Sequence, residues 1–211
     1  MKKILILGSL MIFVIGFGVS AGKLDFVGGL TYNSFDMNMD AEIIGLDLNF
    51  EFDEEKDMGF YAGLRYALQD NIALGVGLDK AGSFEENDLE QSILGPYAEV
   101  VYKLNECIDL RAAVAYYQYD MDFDMDFRDK AYGAAFKGDD VGFIFGGGYQ
   151  YPIQENLSFN ASLDYRVLNI NVENVDIEII DNVDVPIDVS FVNTELNLSG
   201  FRLGAGIMYS F

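Results

Sequence analysis

Eight segments of the chain alternate apolar and polar residues with a period of two, and in each the apolar set keeps to one parity. A period of two belongs to extended strands, whose successive side chains point to opposite faces. The last segment is the clearest. Phe201, Leu203, Ala205, Ile207, Tyr209 and Phe211 share one face, and Arg202, Gly204, Gly206, Met208 and Ser210 share the other. The remaining apolar sets begin Leu24/Phe26/Leu30, Phe60/Ala62/Leu64, Ile72/Leu74/Val76, Ala98/Val100/Tyr102, Ile108/Leu110/Ala112, Phe143/Phe145/Tyr149 and Leu157/Phe159/Ala161. The opposite faces carry glycine, hydroxyl, amide and charged residues. One such stretch arises by chance. Eight, each near the roughly 9–11 residues of a tilted membrane-spanning strand, do not.

The connectors between segments are of two kinds. Gln69-Asp70-Asn71, Asn105-Glu106-Cys107 and Gln154-Glu155-Asn156 are tight turns, whereas 34–57, 80–92, 120–140 and 171–198 are long and acidic. Strict alternation of short and long connectors predicts an all-β, antiparallel up-and-down barrel of eight strands that spans a membrane. Short periplasmic turns and long external loops follow, with both termini on the periplasmic side. A soluble barrel of the lipocalin type is the competing architecture, but such barrels keep their apolar face inside. Alternation shifts parity near Ser34, so residues 41–52 are a candidate further strand. Together with 172–192 they would make a ten-stranded barrel with a wider lumen. Val175, Ile177 and Ile179 before Asp181-Asn182, and Val183, Val185, Ile187 and Val189 after it, read as a hairpin. Leu46, Leu48, Phe50 and Phe52 suggest the same in the first long connector.

Residues 1–21 read as an export signal outside the fold. Lys2 and Lys3 precede an apolar stretch, and Val19-Ser20-Ala21 offers small residues for cleavage. Residues 22–211 then form one barrel domain. After Val19 no apolar run approaches the roughly 20 residues of a membrane helix. Instead, 22 Gly, 13 Tyr and 17 Phe with 3 Pro suit a twisted sheet whose apolar face lies against lipid. Net charge is −22, and two units more negative without Lys2 and Lys3, which argues against a nucleic-acid partner. The lone Cys107 has no internal disulfide partner.

At the carboxyl terminus, Ile207, Tyr209 and the terminal Phe211 alternate with small or polar residues. They resemble the last-strand signal read by the outer-membrane barrel assembly machinery, which the resemblance makes a partner. Residues 22–211 look like the small outer-membrane barrels of the OmpA transmembrane-domain, OmpX/Ail and opacity-protein type. No family-specific motif beyond the last strand supports this, so the likeness is architectural. It implies a monomer in outer-membrane lipid, and a surface-interaction or adhesion role through strands that protrude.

The inferred inward face gathers Arg65, Arg111, Arg166 and Arg202 with Asp79, Glu99, Asp109 and Asp164, so charge pairing is arithmetically available. An eight-stranded interior is just wide enough for side chains to fill it. Unpaired charge there is costly, so an ion-pair plug is expected, with a gated narrow channel as the alternative. The chain has no histidine. That removes His-dependent acyltransferase, deacylase and protease chemistry, and the ordinary Ser-His-Asp arrangement; a non-enzymatic protein without cofactors is expected. Asp120, Asp122, Asp124 and Asp126 alternate with Met121, Phe123 and Met125, putting the carboxylates on one edge as a candidate for weak Ca²⁺ binding. They are not an EF-hand, because Met125 and Ala131 stand where glycine and glutamate are required.

Overall fold

The computed structural model describes residues 23–43, 46–51, 55–86, 89–127, 130–179 and 192–211. It describes their side chains except within 36–55, 83–91, 121–136 and 173–194. The expected export segment, residues 1–21, and the hairpin turn at Asp181-Asn182 lie outside these limits.

The strands are β1 (Leu24–Ile43), β2 (Leu46–Glu51), β3 (Glu55–Gln69), β4 (Ile72–Glu86), β5 (Leu89–Lys103), β6 (Ile108–Phe127), β7 (Lys130–Gln154), β8 (Leu157–Val167), β9 (Asn169–Ile179) and β10 (Val192–Ser210). Antiparallel pairing runs β1-β3-β4-β5-β6-β7-β8-β10 and returns to β1, closing a barrel of eight strands. Closure matters physically, because a closed barrel in lipid leaves no edge with unsatisfied backbone groups. The closing seam runs from Asp25↔Ser210 to Glu42↔Val192.

The ten-stranded alternative is not what forms. Among the described residues β2 pairs with β1 alone, over 38–43, and stands outside the closed circuit. It prolongs the line of β3: Asn38 faces Glu51 where Phe35, lower on β1, faces Glu55. β9 likewise prolongs β8 between the same neighbours. β10 pairs Gly200 with Arg166 and then Asn197 with Asn169, and β7 pairs Phe143 with Val167 and then Gly138 with Val172.

The long connectors expected as loops are therefore mostly strand. Pairing climbs to Ile43↔Leu46, Glu86↔Leu89 and Phe127↔Lys130, so each of these hairpins continues almost to its tip. The physical reason is visible on β6. Its even residues change from Ile108, Leu110, Ala112 and Val114 to Gln118, Asp120, Asp122, Asp124 and Asp126. Its odd residues change the opposite way, from Asp109 and Arg111 to Met121, Phe123 and Met125. The period of two never stops; only the polarity of each face reverses.

The apolar faces of the barrel wall are exposed, Leu30 and Phe201 both at 60%. A continuous apolar belt of this kind does not face water in a soluble protein, and the interior carries the charge, so the lipocalin arrangement is absent. Val76 and Tyr116 depart from their parity and are buried. Val76 is short and stands between the longer Leu74 and Leu78. Tyr116 lies where pairing of β5 with β6 lapses at Gly95 and Pro96. There the walls approach so closely that a Cβ on Gly95 would sit 2.6 Å from the Tyr116 carbonyl oxygen.

Candidate functional site: a charged tier in the lumen

Six strands of the wall, β3, β4, β5, β6, β8 and β10, send the eight predicted lumen residues inward, and all eight are buried. Seven of them form two ion-paired groups. In the smaller, Arg65 and Glu99 meet in the parallel two-bond geometry that guanidinium and carboxylate favour, Nε to Oε1 at 2.7 Å and Nη2 to Oε2 at 3.3 Å.

The larger group spans the barrel. Arg111 donates Nε to Asp164 Oδ1 at 2.5 Å and Nη2 to Asp164 Oδ2. Arg202 reaches the same carboxylate with Nη1 at 3.5 Å and donates Nη2 to Asp79 Oδ1 at 2.9 Å. Asp79 also accepts from Arg166 Nη2 at 2.8 Å and from the Tyr117 hydroxyl at 2.6 Å, and that hydroxyl accepts from Arg166 Nε at 3.1 Å. Asp79 thus ties together β4, β6, β8 and β10. Both Asp79 and Asp164 have fully buried side chains. Isolated charges there would carry a desolvation penalty of several kcal/mol each, which only multiple partners offset.

Asp109 is the exception. It is buried, yet among the described residues it forms no ion pair. It lies over Gly148, where a Cβ would come 2.6 Å from Asp109 Oδ1. Other inward glycines serve in the same way as floor for neighbouring side chains: Glu99 lies over Gly75 and the Tyr97 ring over Gly77. The glycine face that reads as empty in the sequence is thus filled from the adjacent strand.

Aromatic partners carry much of the geometry. The Arg166 guanidinium stacks 5.1 Å from the Tyr117 ring and 5.6 Å from the Phe35 ring, and Arg202 lies 5.2 Å from the Tyr61 ring. These contacts add cation–π attraction between buried groups. Tyr61, Tyr97 and Tyr117 are absent from a reading that seeks charge alone. Their signal is a tyrosine on the parity otherwise held by glycine and charge. Above the charged tier a second, apolar tier crosses the lumen: Phe35, Ile93, Tyr119, Leu168, Ile170, Leu196 and Leu198 are packed together and almost fully buried.

The remaining predicted residues lie outside the lumen. Asp120 is exposed on the outer face, with Lys137 Nζ 3.8 Å away. The Asp122, Asp124 and Asp126 side chains lie outside the described residues; by register these positions share the face of Asp120, opposite Ala135, Gly133 and Ala131. Ile207, Tyr209 and Phe211 face outward, the last two rings meeting edge to face at 5.1 Å. The Phe211 amide donates to the Leu24 carbonyl at 2.9 Å, fastening the chain end to β1.

No family model and no curated protein matches the sequence. Solved structures do share the fold. Ail of Yersinia pestis, crystallised with the heparin analogue sucrose octasulfate, has a TM-score of 0.51 and 14% identity, over 90% of this chain and 99% of that one. The outer membrane protein AlkL, determined in DMPC lipid bilayers, has a TM-score of 0.50 and 13% identity, over 89% of this chain and 90% of that one. A major outer membrane protein of Thermus thermophilus has a TM-score of 0.50 and 13% identity, over 90% of this chain and 99% of that one. The fold of this chain is that of the small outer-membrane barrels.

Proposed function

We propose that the protein is an exported, monomeric outer-membrane barrel whose membrane segment is sealed, and whose work is done by its four acidic hairpins outside the cell. The sealed lumen carries this reading. A tier of ion pairs and a tier of packed apolar side chains lie across the same eight-stranded interior, which has little width to spare. The apolar belt supports a lipid environment, and the last strand supports delivery by the barrel assembly machinery. Cleavage after Ala21 would release residues 22–211 as the mature chain.

With the lumen closed, contact with other molecules falls to the hairpins, which suits a structural or adhesin-like role. Ail is the neighbour crystallised with a sulfated ligand. Here Asp120, Asp122, Asp124 and Asp126 share one face of β6 by register, and the chain as a whole is strongly acidic. Complementarity of charge favours cationic partners and disfavours sulfated ones. No catalytic role is proposed, because seven of the eight predicted lumen charges are tied up in ion pairs and no histidine exists to move a proton.

Planar-bilayer recording of the pure protein is the test. The sealed barrel should give no steady current, and opening it should take substitutions in both tiers, such as Arg202→Ala together with Leu198→Ala. Steady ion-selective openings from the unaltered protein would establish the narrow channel in its place.

A further inference from the structure

A small cavity interrupts the charged tier, lined by Tyr61, Tyr97, Glu99, Arg111, Ala113, Ile144 and Arg202, with room for about one water-sized guest. The polar groups around it are unequally committed. Both oxygens of Glu99 are engaged by Arg65. Arg111 spends Nε and Nη2 on Asp164, which leaves Nη1. Arg202 is 4% exposed, and its Nε is buried without an acceptor. Among the described residues the Tyr97 hydroxyl makes no hydrogen bond, and that of Tyr61 makes one long bond, 3.4 Å to Asn160 Oδ1. The residues lining the cavity therefore hold more uncommitted donors than acceptors.

Charge leans the same way. Of the charged side chains that line the cavity, Arg111 and Arg202 are cations and Glu99, already held by Arg65, is the one anion. A buried guanidinium nitrogen with nothing to donate to is costly, and native structures supply such groups with water or an ion. We propose that the cavity binds one small inorganic anion of halide size, held by the spare donors of Arg202 and Arg111 with the Tyr97 hydroxyl. The anion balances the local charge and gives Arg202 Nε its acceptor. Among the described residues Arg202 alone touches both Asp79 and Asp164, so an anion beside it stiffens the link between those carboxylates. The site stands on its own geometry and holds whether or not the barrel conducts.

The test uses the full folded barrel in detergent micelles. Crystals grown in sodium bromide should show an anomalous peak within hydrogen-bonding reach of Arg202 Nε. Thermal unfolding in sodium chloride should occur several degrees higher than in sodium gluconate of equal ionic strength, with a shift that saturates as chloride rises. Ala113→Leu, which fills the cavity, should abolish that difference. Tyr97→Phe, which keeps the ring and every ion pair, should reduce it. A site that holds only water in bromide crystals, or identical unfolding in the two salts, overturns the proposal.

Discussion

The lower and upper halves of the same strands obey opposite rules. Along β6 the outward residues run apolar up to Val114 and acidic from Asp120, while the inward residues run from Asp109 and Arg111 to Tyr119. Pairing of β6 with β7 continues in register across the junction. What changes is the solvent around the barrel, lipid below and water above. The lower half hides its charge and the upper half hides its apolar side chains. The contrast teaches that burial in this chain is set by the medium outside, since side chains fill both halves of the lumen.

The largest expected effect breaks the lower half from inside. Asp79→Ala removes the partner of Arg166, Arg202 and Tyr117 together, and should cost about 3–5 kcal/mol in urea unfolding from lipid vesicles. A loss below about 1 kcal/mol, the range typical of exposed pairs, would mean that the charged tier is not dry. Next, an arginine placed on the outer face should read the junction itself. Ala112→Arg, in the apolar stretch of β6, should destabilise by about 2–4 kcal/mol, and Gln118→Arg, beyond it, by about 1 kcal/mol or less. Equal costs at the two positions would place both in the same medium and remove the contrast. The smallest effect belongs to the upper outer face. Lys137→Ala breaks a pair with Asp120 whose side chains are both 58% exposed, and should change stability by no more than about 0.5 kcal/mol. A final check costs no stability. With Cys107 replaced by serine, a cysteine at Asp120 should react with an impermeant thiol reagent on intact cells and one at Asp70 should not.

How much of this is legible in the sequence follows from the same contrast. Period two assigns most residues to one face or the other, so the eight strands and the inward side of the eight predicted charges can be read without coordinates. Polarity is the misleading cue. Acidic stretches such as 120–126 read as loops because charge usually marks solvent-exposed turns, yet their alternation is that of strand continuing into water. Pairing between lumen charges is equally out of reach. Arg111 meets Asp164 rather than the nearer-sequence Asp109 because barrel curvature, which no local pattern encodes, decides which inward residues face one another. The tyrosines around Arg166 and Arg202 escape for a related reason, since an inward aromatic ring looks the same in sequence whether it packs on leucine or on guanidinium.

Asp79 bonds to residues 38, 87 and 123 positions further along the chain. Its last partner, Arg202, stands on the strand that closes the circle with β1. Without β10 the Arg65–Glu99, Arg111–Asp164 and Arg166–Asp79 pairs would remain available, but Asp79 would lack one of its two guanidiniums and the wall would stand open. Contacts of such long separation form late and slowly. The tier is thus a cross-link between distant parts of the chain, whole only in the closed barrel.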